Sequence, residues 1–229
     1  MQPLLTLSKS ETPLTCSVIK DDFILASEKA FDCIFDGTSK FNQWELSDHN
    51  ILKDFSIGVI VGTSGSGKST LLKKFGDDEI IDWSTDRAII SHFDTPDDAI
   101  NKLSAVGLNS VPSWYKPYDV LSTGEKFRAD LSRRVKDDAV IDEFTSVVDR
   151  NVAKAASVAM SKYVRLNNIK RIVIATCHRD IVDWLEPDWV IDTDTGHLYD
   201  GFFLSDRKYN WMSTEQIERY GQCLKTIII

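Results

Sequence analysis

The stretch Gly62-Thr63-Ser64-Gly65-Ser66-Gly67-Lys68-Ser69-Thr70 has residue types and spacing suited to phosphate chemistry. It fits G-x-x-x-x-G-K-[ST] and sits between the apolar run Ile57-Gly58-Val59-Ile60-Val61 and a helical pattern from Lys68 to Phe75. Glycines let a backbone turn tightly enough for successive N–H groups to converge on phosphate oxygens. A helix start beneath them adds partial positive charge. Gly62, Ser64, Gly65, Ser66, Gly67 and Thr70 are therefore expected to line a triphosphate, Lys68 to reach its β- and γ-phosphates, and the Ser69 hydroxyl to ligate Mg²⁺. The loop alone implies a nucleoside triphosphate and a metal, and nothing finer.

Further along, the apolar Ala139-Val140-Ile141 ends in Asp142-Glu143. Asp142 is placed to hold the metal's water shell and Glu143 to polarise an attacking water; alternatively the pair caps the segment that follows. About twenty residues earlier, Leu121-Ser122-Thr123-Gly124-Glu125 opens a helical pattern. A serine hydroxyl, a glycine backbone and a helix start make a second phosphate-binding surface. That segment resembles the Leu-Ser-Gly-Gly-Gln signature of ATP-binding cassette proteins, with Thr123 and Glu125 as departures. Ser146-Val147-Val148-Asp149 resembles the family's D-loop, and Thr176-Cys177-His178 ends a strand where the family carries its switch histidine.

The resemblance implies a head-to-tail homodimer, or a heterodimer with a related cassette protein, closing around two Mg-ATP. Lys68, Ser69, Asp142, Glu143 and His178 would act within one subunit, and Ser122 and Gly124 would reach the γ-phosphate held by the other. An aromatic residue upstream of the loop would stack on adenine; Phe41 and Trp44 both suit, with Trp44 preferred. The family's Q-loop glutamine is missing after Ala88-Ile89-Ile90, where Ser91-His92-Phe93-Asp94 stands, leaving His92 or Asp94 to replace it or to serve structure alone.

Residues 104–114, Lys126-Phe127-Arg128, Asp142 to Arg150 and Thr176 to Trp189 sharpen the match. They look like a small group of stand-alone cassette ATPases of bacteriophages and bacteria, some fused to an acetyltransferase-like domain. Too little chain follows Gly196 to carry that second domain. This resemblance implies an ATPase serving a soluble, nucleic-acid-linked process through a protein effector yet to be identified. The alternative is the nucleotide-binding subunit of a membrane transporter, against which stand the missing glutamine and the short stretch from Gly76 to Val120.

Positioning these residues requires strands alternating with helices, hence an α/β fold with a mostly parallel core sheet. The resemblance makes it a P-loop NTPase of the ATP-binding cassette type, a single domain over 1–229. Residues 1–55 are expected as an antiparallel β portion, with strands at Ser17-Val18-Ile19 and Phe23-Ile24-Leu25, a helix near Glu28 to Phe31 and a turn at Asp36-Gly37. The nucleotide-binding core spans 56–94 and 125–200, with strands at 57–61, 88–90, 139–141 and 171–175 and helices at 125–136 and 152–166. A short helical insert covers 95–124. Trp189-Val190-Ile191 and His197-Leu198-Tyr199 are expected to pair across the Thr193 to Gly196 turn. In the 201–229 tail a capping-box start at Ser213 predicts a short helix.

At 229 residues, 42% hydrophobic and 27% charged, the chain can bury a core of its own. A formal charge of −8 does not support a broad nucleic-acid surface, although Lys126, Arg128, Arg133, Arg134 and Lys136 form either a local basic patch or a solvated helix face. Four scattered cysteines, no leader-like N-terminus and no apolar run near the ~20 residues that span a bilayer suggest a reducing cytoplasm and no direct membrane insertion.

Overall fold

The computed structural model describes residues 3–46, 52 and 54–201. Its spine is a six-stranded sheet built on β6 (Ile57–Val61), which pairs in parallel with β8 (Ile172–Thr176) on one side and β9 (Trp189–Asp192) on the other. Beyond β8 lies β7 (Val140–Ile141), also parallel. Beyond β9 the sheet turns antiparallel with β10 (His197–Asp200) and then β1 (Leu5–Thr6). Strands buried on both faces read as continuous apolar runs, and β6 and β8 are buried along their whole length.

Alternation along β6 divides the core. Ile57, Val59 and Val61 join a cluster with α3 (Pro96–Ala105), α5 (Thr123–Arg134), α6 (Arg150–Leu166) and α7 (Ile181–Leu185). Ile60 faces the other way, toward Leu71 and Leu72 of α2 (Lys68–Leu72), Leu7, Leu46 and Phe55. The α/β architecture with a mostly parallel sheet is thus as the sequence implies. Helix α6 follows its pattern closely. Asp149 caps it by accepting from the Asn151 and Val152 N–H groups, and Ala153, Ala156, Ser157, Met160, Ser161 and Val164 form its buried stripe.

The N-terminal portion is partly as expected. Two antiparallel pairs form, β2 (Ser8–Lys9) with β5 (Trp44–Glu45) and β3 (Leu14–Ser17) with β4 (Thr38–Phe41). Phe23-Ile24-Leu25, however, is not a strand. It lies in α1 (Asp22–Phe31), capped by Asp21 and ended by Asp32 in the left-handed region. The apolar trio runs without a turn signal into Ala26 to Ala30, mostly good helix formers, and the capping aspartate decides the matter. Of Ser17-Val18-Ile19, Ser17 alone is in a strand. The helix expected from Ser213 falls outside the described residues.

A second correction concerns Ala88-Ile89-Ile90. Instead of adding a strand, Ile89–His92 forms one 3₁₀ turn, anchored by Ile89 N–H to the Lys116 carbonyl (3.0 Å). Residues 77–94 lie along α5 and are fastened by charge. Arg134 pairs with Asp78, Lys136 with Glu79, and Arg133 donates to the Asp82 carbonyl (2.6 Å) while covering the Trp83 ring. Three of the five cations in the suspected basic patch are thereby matched within the chain. The helical insert consists of α3, α4 (Val111–Trp114), a 3₁₀ turn at Tyr118–Val120 and the start of α5. Among the described residues no helix is long and apolar enough to cross a membrane.

The sheet leaves no room under β6 at Gly58, where an added Cβ would fall 2.0 Å from the Trp189 ring. Gly58→Ala is expected to lower stability by about 1–3 kcal/mol through overpacking, read as a drop in the urea midpoint at unchanged slope.

Candidate active site

β6, β8 and β7 are parallel neighbours, so their carboxyl ends emerge together and set three loops side by side, each one strand spacing (about 4.8 Å) from the next. The first is Gly62 to Gly67. Gly65 (φ +78°) and Gly67 (φ +97°) take the left-handed backbone that glycine adopts without penalty. A Cβ at Gly65 would meet none of the described residues within 4 Å, so the loop's mouth is open to them there. Lys68 opens α2 and is 7% exposed. Among the described residues its ammonium has one hydrogen-bond acceptor, the Thr63 carbonyl oxygen (2.8 Å). Three donors on a buried cation with one neutral acceptor call for an anion. Phosphate oxygens fit that demand.

The second loop follows β7. Asp142 is half-buried and its N–H donates to Asp78 Oδ2 (3.3 Å); the Glu143 N–H donates to Asp142 Oδ1 (2.8 Å). Glu143 (φ +50°) and Thr145 (φ +66°) both occupy the left-handed region, which for a β-branched threonine is strained. Phe144 between them holds the turn. Its N–H donates to the Ala175 carbonyl (3.0 Å), its carbonyl accepts from Thr176 Oγ1 (2.9 Å), and its ring is buried. Ser146 closes the turn by donating N–H and hydroxyl to the Glu143 carbonyl. Glu143 itself is exposed at the edge.

The third loop, after β8, carries His178. Its N–H donates to Thr176 Oγ1 (3.1 Å), and its Nδ1 lies 3.4 Å from Thr145 Oγ1. The structure therefore joins His178 to the turn that presents Glu143. A cleft of about 350 Å³ opens beside them, lined by Thr123, Lys126, Arg134, Asp142, Glu143 and Ser146 among others. Among the described residues no three His, Cys, Asp or Glu side chains are grouped to hold a metal by themselves. A divalent ion at Ser69 and Asp142 would need phosphate oxygens to complete its shell.

Ser122 and Gly124 stand apart from these loops, at the start of α5. Ser122 is the N-cap in a full capping box: the Glu125 N–H donates to Ser122 Oγ, while Ser122 donates N–H (2.9 Å) and hydroxyl (2.7 Å) to Glu125. Ser113 Oγ donates to the other Glu125 oxygen (2.5 Å). Glu125, a departure from the signature, thus acts as an acceptor throughout. The Ser113 hydroxyl, then the Ser122 N–H and hydroxyl, pull its carboxyl down to about 2. A Cβ at Gly124 would make ordinary contact with Val152 (3.7 Å), so no contact among the described residues requires glycine there.

Of the two aromatics, Trp44 is already engaged. Its indole N–H donates to the Ser66 carbonyl (3.0 Å), its ring edge presses on Gly196, and the Lys9 ammonium lies 3.5 Å from its ring centroid. Phe41 reaches over Gly67, where an added Cβ would fall 2.7 Å from its tip. His92 is spent as well. Its Nε2 accepts the Ser84 N–H (3.0 Å), so Nδ1 carries the proton and donates to the Ala88 carbonyl (3.0 Å). Asp94 is exposed just before the α3 cap.

Sequence reasoning missed the groups that grip the outer flank of the phosphate loop. Asp194, in the β9–β10 turn, accepts the Thr63 N–H (2.9 Å) and hydroxyl (2.8 Å). Thr193 donates to the Val61 carbonyl (3.0 Å), so Ser66 is the donor in their 2.6 Å contact. Arg179 chelates Asp192 (2.7 and 3.0 Å) and also reaches Asp194 (2.8 Å). The Thr63 N–H and hydroxyl and the Arg179 guanidinium hold Asp194 below the usual carboxylate range. Arg179 lies in the Thr176 to Trp189 stretch that carries the resemblance, which gives it no role, and the Thr193 to Gly196 stretch signals a turn and no more.

No family model matches the chain, and no curated protein matches it. Among solved structures it is similar to the dimeric structure of MJ0796, a bacterial ABC transporter cassette, at 15% identity and a TM-score of 0.49, covering 69% of this chain and 88% of that one. It is also similar to the dimeric post-hydrolysis state of the ATP-binding cassette MJ0796 bound to ADP and Pi, at 14% identity and a TM-score of 0.47, covering 70% and 89%. The roles of individual side chains rest on the geometry above.

The depressed Glu125 carboxyl gives the α5 cap a pH signature. Its folded-state value lies below the ordinary 4.5, so its contribution is complete above pH 4.5 and fades as pH falls toward 2. Glu125→Ala is expected to cost about 1 kcal/mol near neutrality, and the gap in urea midpoint between wild type and variant should close across that window.

Proposed function

We propose that this chain is an ATP-hydrolysing cassette ATPase that works as a head-to-tail dimer around two Mg-ATP. The observation that carries the reading is the convergence, at the carboxyl end of the parallel strands, of the Lys68 loop, the Asp142-Glu143 turn and His178, with the strained turn and His178 joined through Thr145.

Lys68 and the amides of residues 65–70 bind the β- and γ-phosphates and fix the transferring group in line with its attacker. Ser69 and Asp142 would hold Mg²⁺, which would supply charge neutralisation at the phosphate oxygens. Glu143, exposed at the turn, orients the attacking water and takes its proton. His178, braced on Nδ1 by Thr145, offers Nε2 toward the γ-phosphate. Phe41, whose tip lies over Gly67, is the better adenine platform, because Trp44 is committed to bracing the loop. Ser122 and Gly124 serve the partner's nucleotide. A glycine at 124 that no contact among the described residues requires supports close approach from outside. In that encounter the Ser122 hydroxyl must swing away from Glu125.

For the work driven by the cycle, we favour a process other than membrane transport. Residues 77–94, where a transporter subunit carries its coupling glutamine, are clamped onto α5. Asp130 accepts from Trp83 Nε1 (2.8 Å) and Tyr118 OH (2.6 Å), and Arg134 pairs with Asp78. Co-purification with a permease would overturn that preference.

Lys68→Ala is expected to weaken ATP binding by roughly ten- to a hundredfold, the range for losing a charge-assisted contact. Glu143→Gln should slow hydrolysis by about 10²- to 10⁴-fold and accumulate an ATP-bound dimer, seen by light scattering with Mg-ATP. A Glu143→Gln variant that stays monomeric and hydrolyses at the wild-type rate would sink this assignment.

A further inference from the structure

A glycine-rich loop has little of its own to hold its shape. Gly65 and Gly67 sit in left-handed backbone, and Thr63, Ser64 and Gly65 are exposed. Ordering such a segment costs conformational entropy at the moment of binding unless something has ordered it beforehand. Here the ordering comes from the β9–β10 turn. Asp194 holds Thr63 at two points, and the Thr63 carbonyl carries the Lys68 ammonium. Thr193 holds Val61 and Ser66, at the two ends of the loop. The turn is fixed in its own right: the Asp194 N–H donates to Asp192 Oδ1 (2.9 Å), and Arg179 binds both carboxylates. Arg179 directly follows His178.

We infer that Asp194 and Arg179 are positioning residues that strap the phosphate loop in its binding shape and tie it to the His178 loop, so that both sides of the bound triphosphate are held by one body. The inference rests on the nucleotide reading of the site.

Charge makes the sign of the test informative. Asp194 is an anion one hydrogen bond from a loop meant for anions. Were it electrostatic background, its removal would tighten nucleotide binding, the more so because Arg179 would be left less compensated. A positioning role requires the opposite.

The experiment measures ATP and ADP dissociation constants, and the melting temperature without nucleotide, for wild type, Asp194→Ala and Asp194→Asn. Asp194→Ala is expected to weaken both nucleotides by a similar factor of about ten, since the loop holds phosphates common to both. Asp194→Asn keeps an acceptor for Thr63 and should recover part of that loss. Unchanged or tighter binding in Asp194→Ala, with or without a lower melting temperature, overturns the strap and leaves the nucleotide reading intact. Wild-type protein that binds neither nucleotide overturns both. If Asp194→Ala is not recovered folded, Asp194→Asn decides by the same criterion: weaker binding supports the strap, unchanged or tighter binding removes it.

Discussion

The candidate site depends on how strand β8 holds the backbone of Phe144. The Phe144 N–H continues the β7–β8 ladder one step past the strand, and the Thr176 hydroxyl takes the Phe144 carbonyl. Between those two bonds the chain enters the left-handed region at Glu143 and again at Thr145. Each such residue costs on the order of 1–3 kcal/mol, more than two hydrogen bonds of about 1 kcal/mol each return. Burial of the Phe144 ring supplies about 2–3 kcal/mol more. That ring also meets Phe127 of α5 at 5.7 Å. One side chain therefore joins the sheet, the strained turn and the helical insert.

An acidic chain can still present a cation to a nucleotide if it disposes of its other charges internally. Arg133, Arg134 and Lys136 are met by residues 78–82, and Arg179 by Asp192 and Asp194. Lys68 is treated differently, being buried with a carbonyl as its acceptor. At the loop the buried ammonium and the amides thus offer positive charge even though the molecule as a whole is acidic.

What could be read from the sequence was what lies close together along it. The phosphate loop, the strand ending in Asp142-Glu143 and the helix start at Ser122 are each a few residues long, and their geometry follows from local rules. His178 was named only through the family resemblance, since a lone histidine after an apolar strand is more often structural; the structure sets its Nδ1 3.4 Å from Thr145 Oγ1. Asp194 was not legible, because the Thr63 it holds lies 131 positions away and nothing local distinguishes an aspartate in a turn from one that grips a loop. Trp44 was named for its type and distance upstream, whereas its role is set by Lys9, Ser66 and Gly196. The errors at Phe23-Ile24-Leu25 and Ala88-Ile89-Ile90 share a cause. Short apolar runs have no period, so a cap in one case and a tertiary contact to Lys116 in the other determined the outcome.

The pairing of β1 with β10 sets Leu5 against Leu198, two residues from opposite ends of the described chain. β1 finds its partner only in β10, which itself pairs with β9. Without β1, β10 would be the open edge on that side of the sheet. So distant a contact carries a loop-closure cost, and making it seals the flank beside the turn that carries Thr193 and Asp194. Closing that edge and fixing the turn that braces the Gly62 to Gly67 loop are, in that sense, one act.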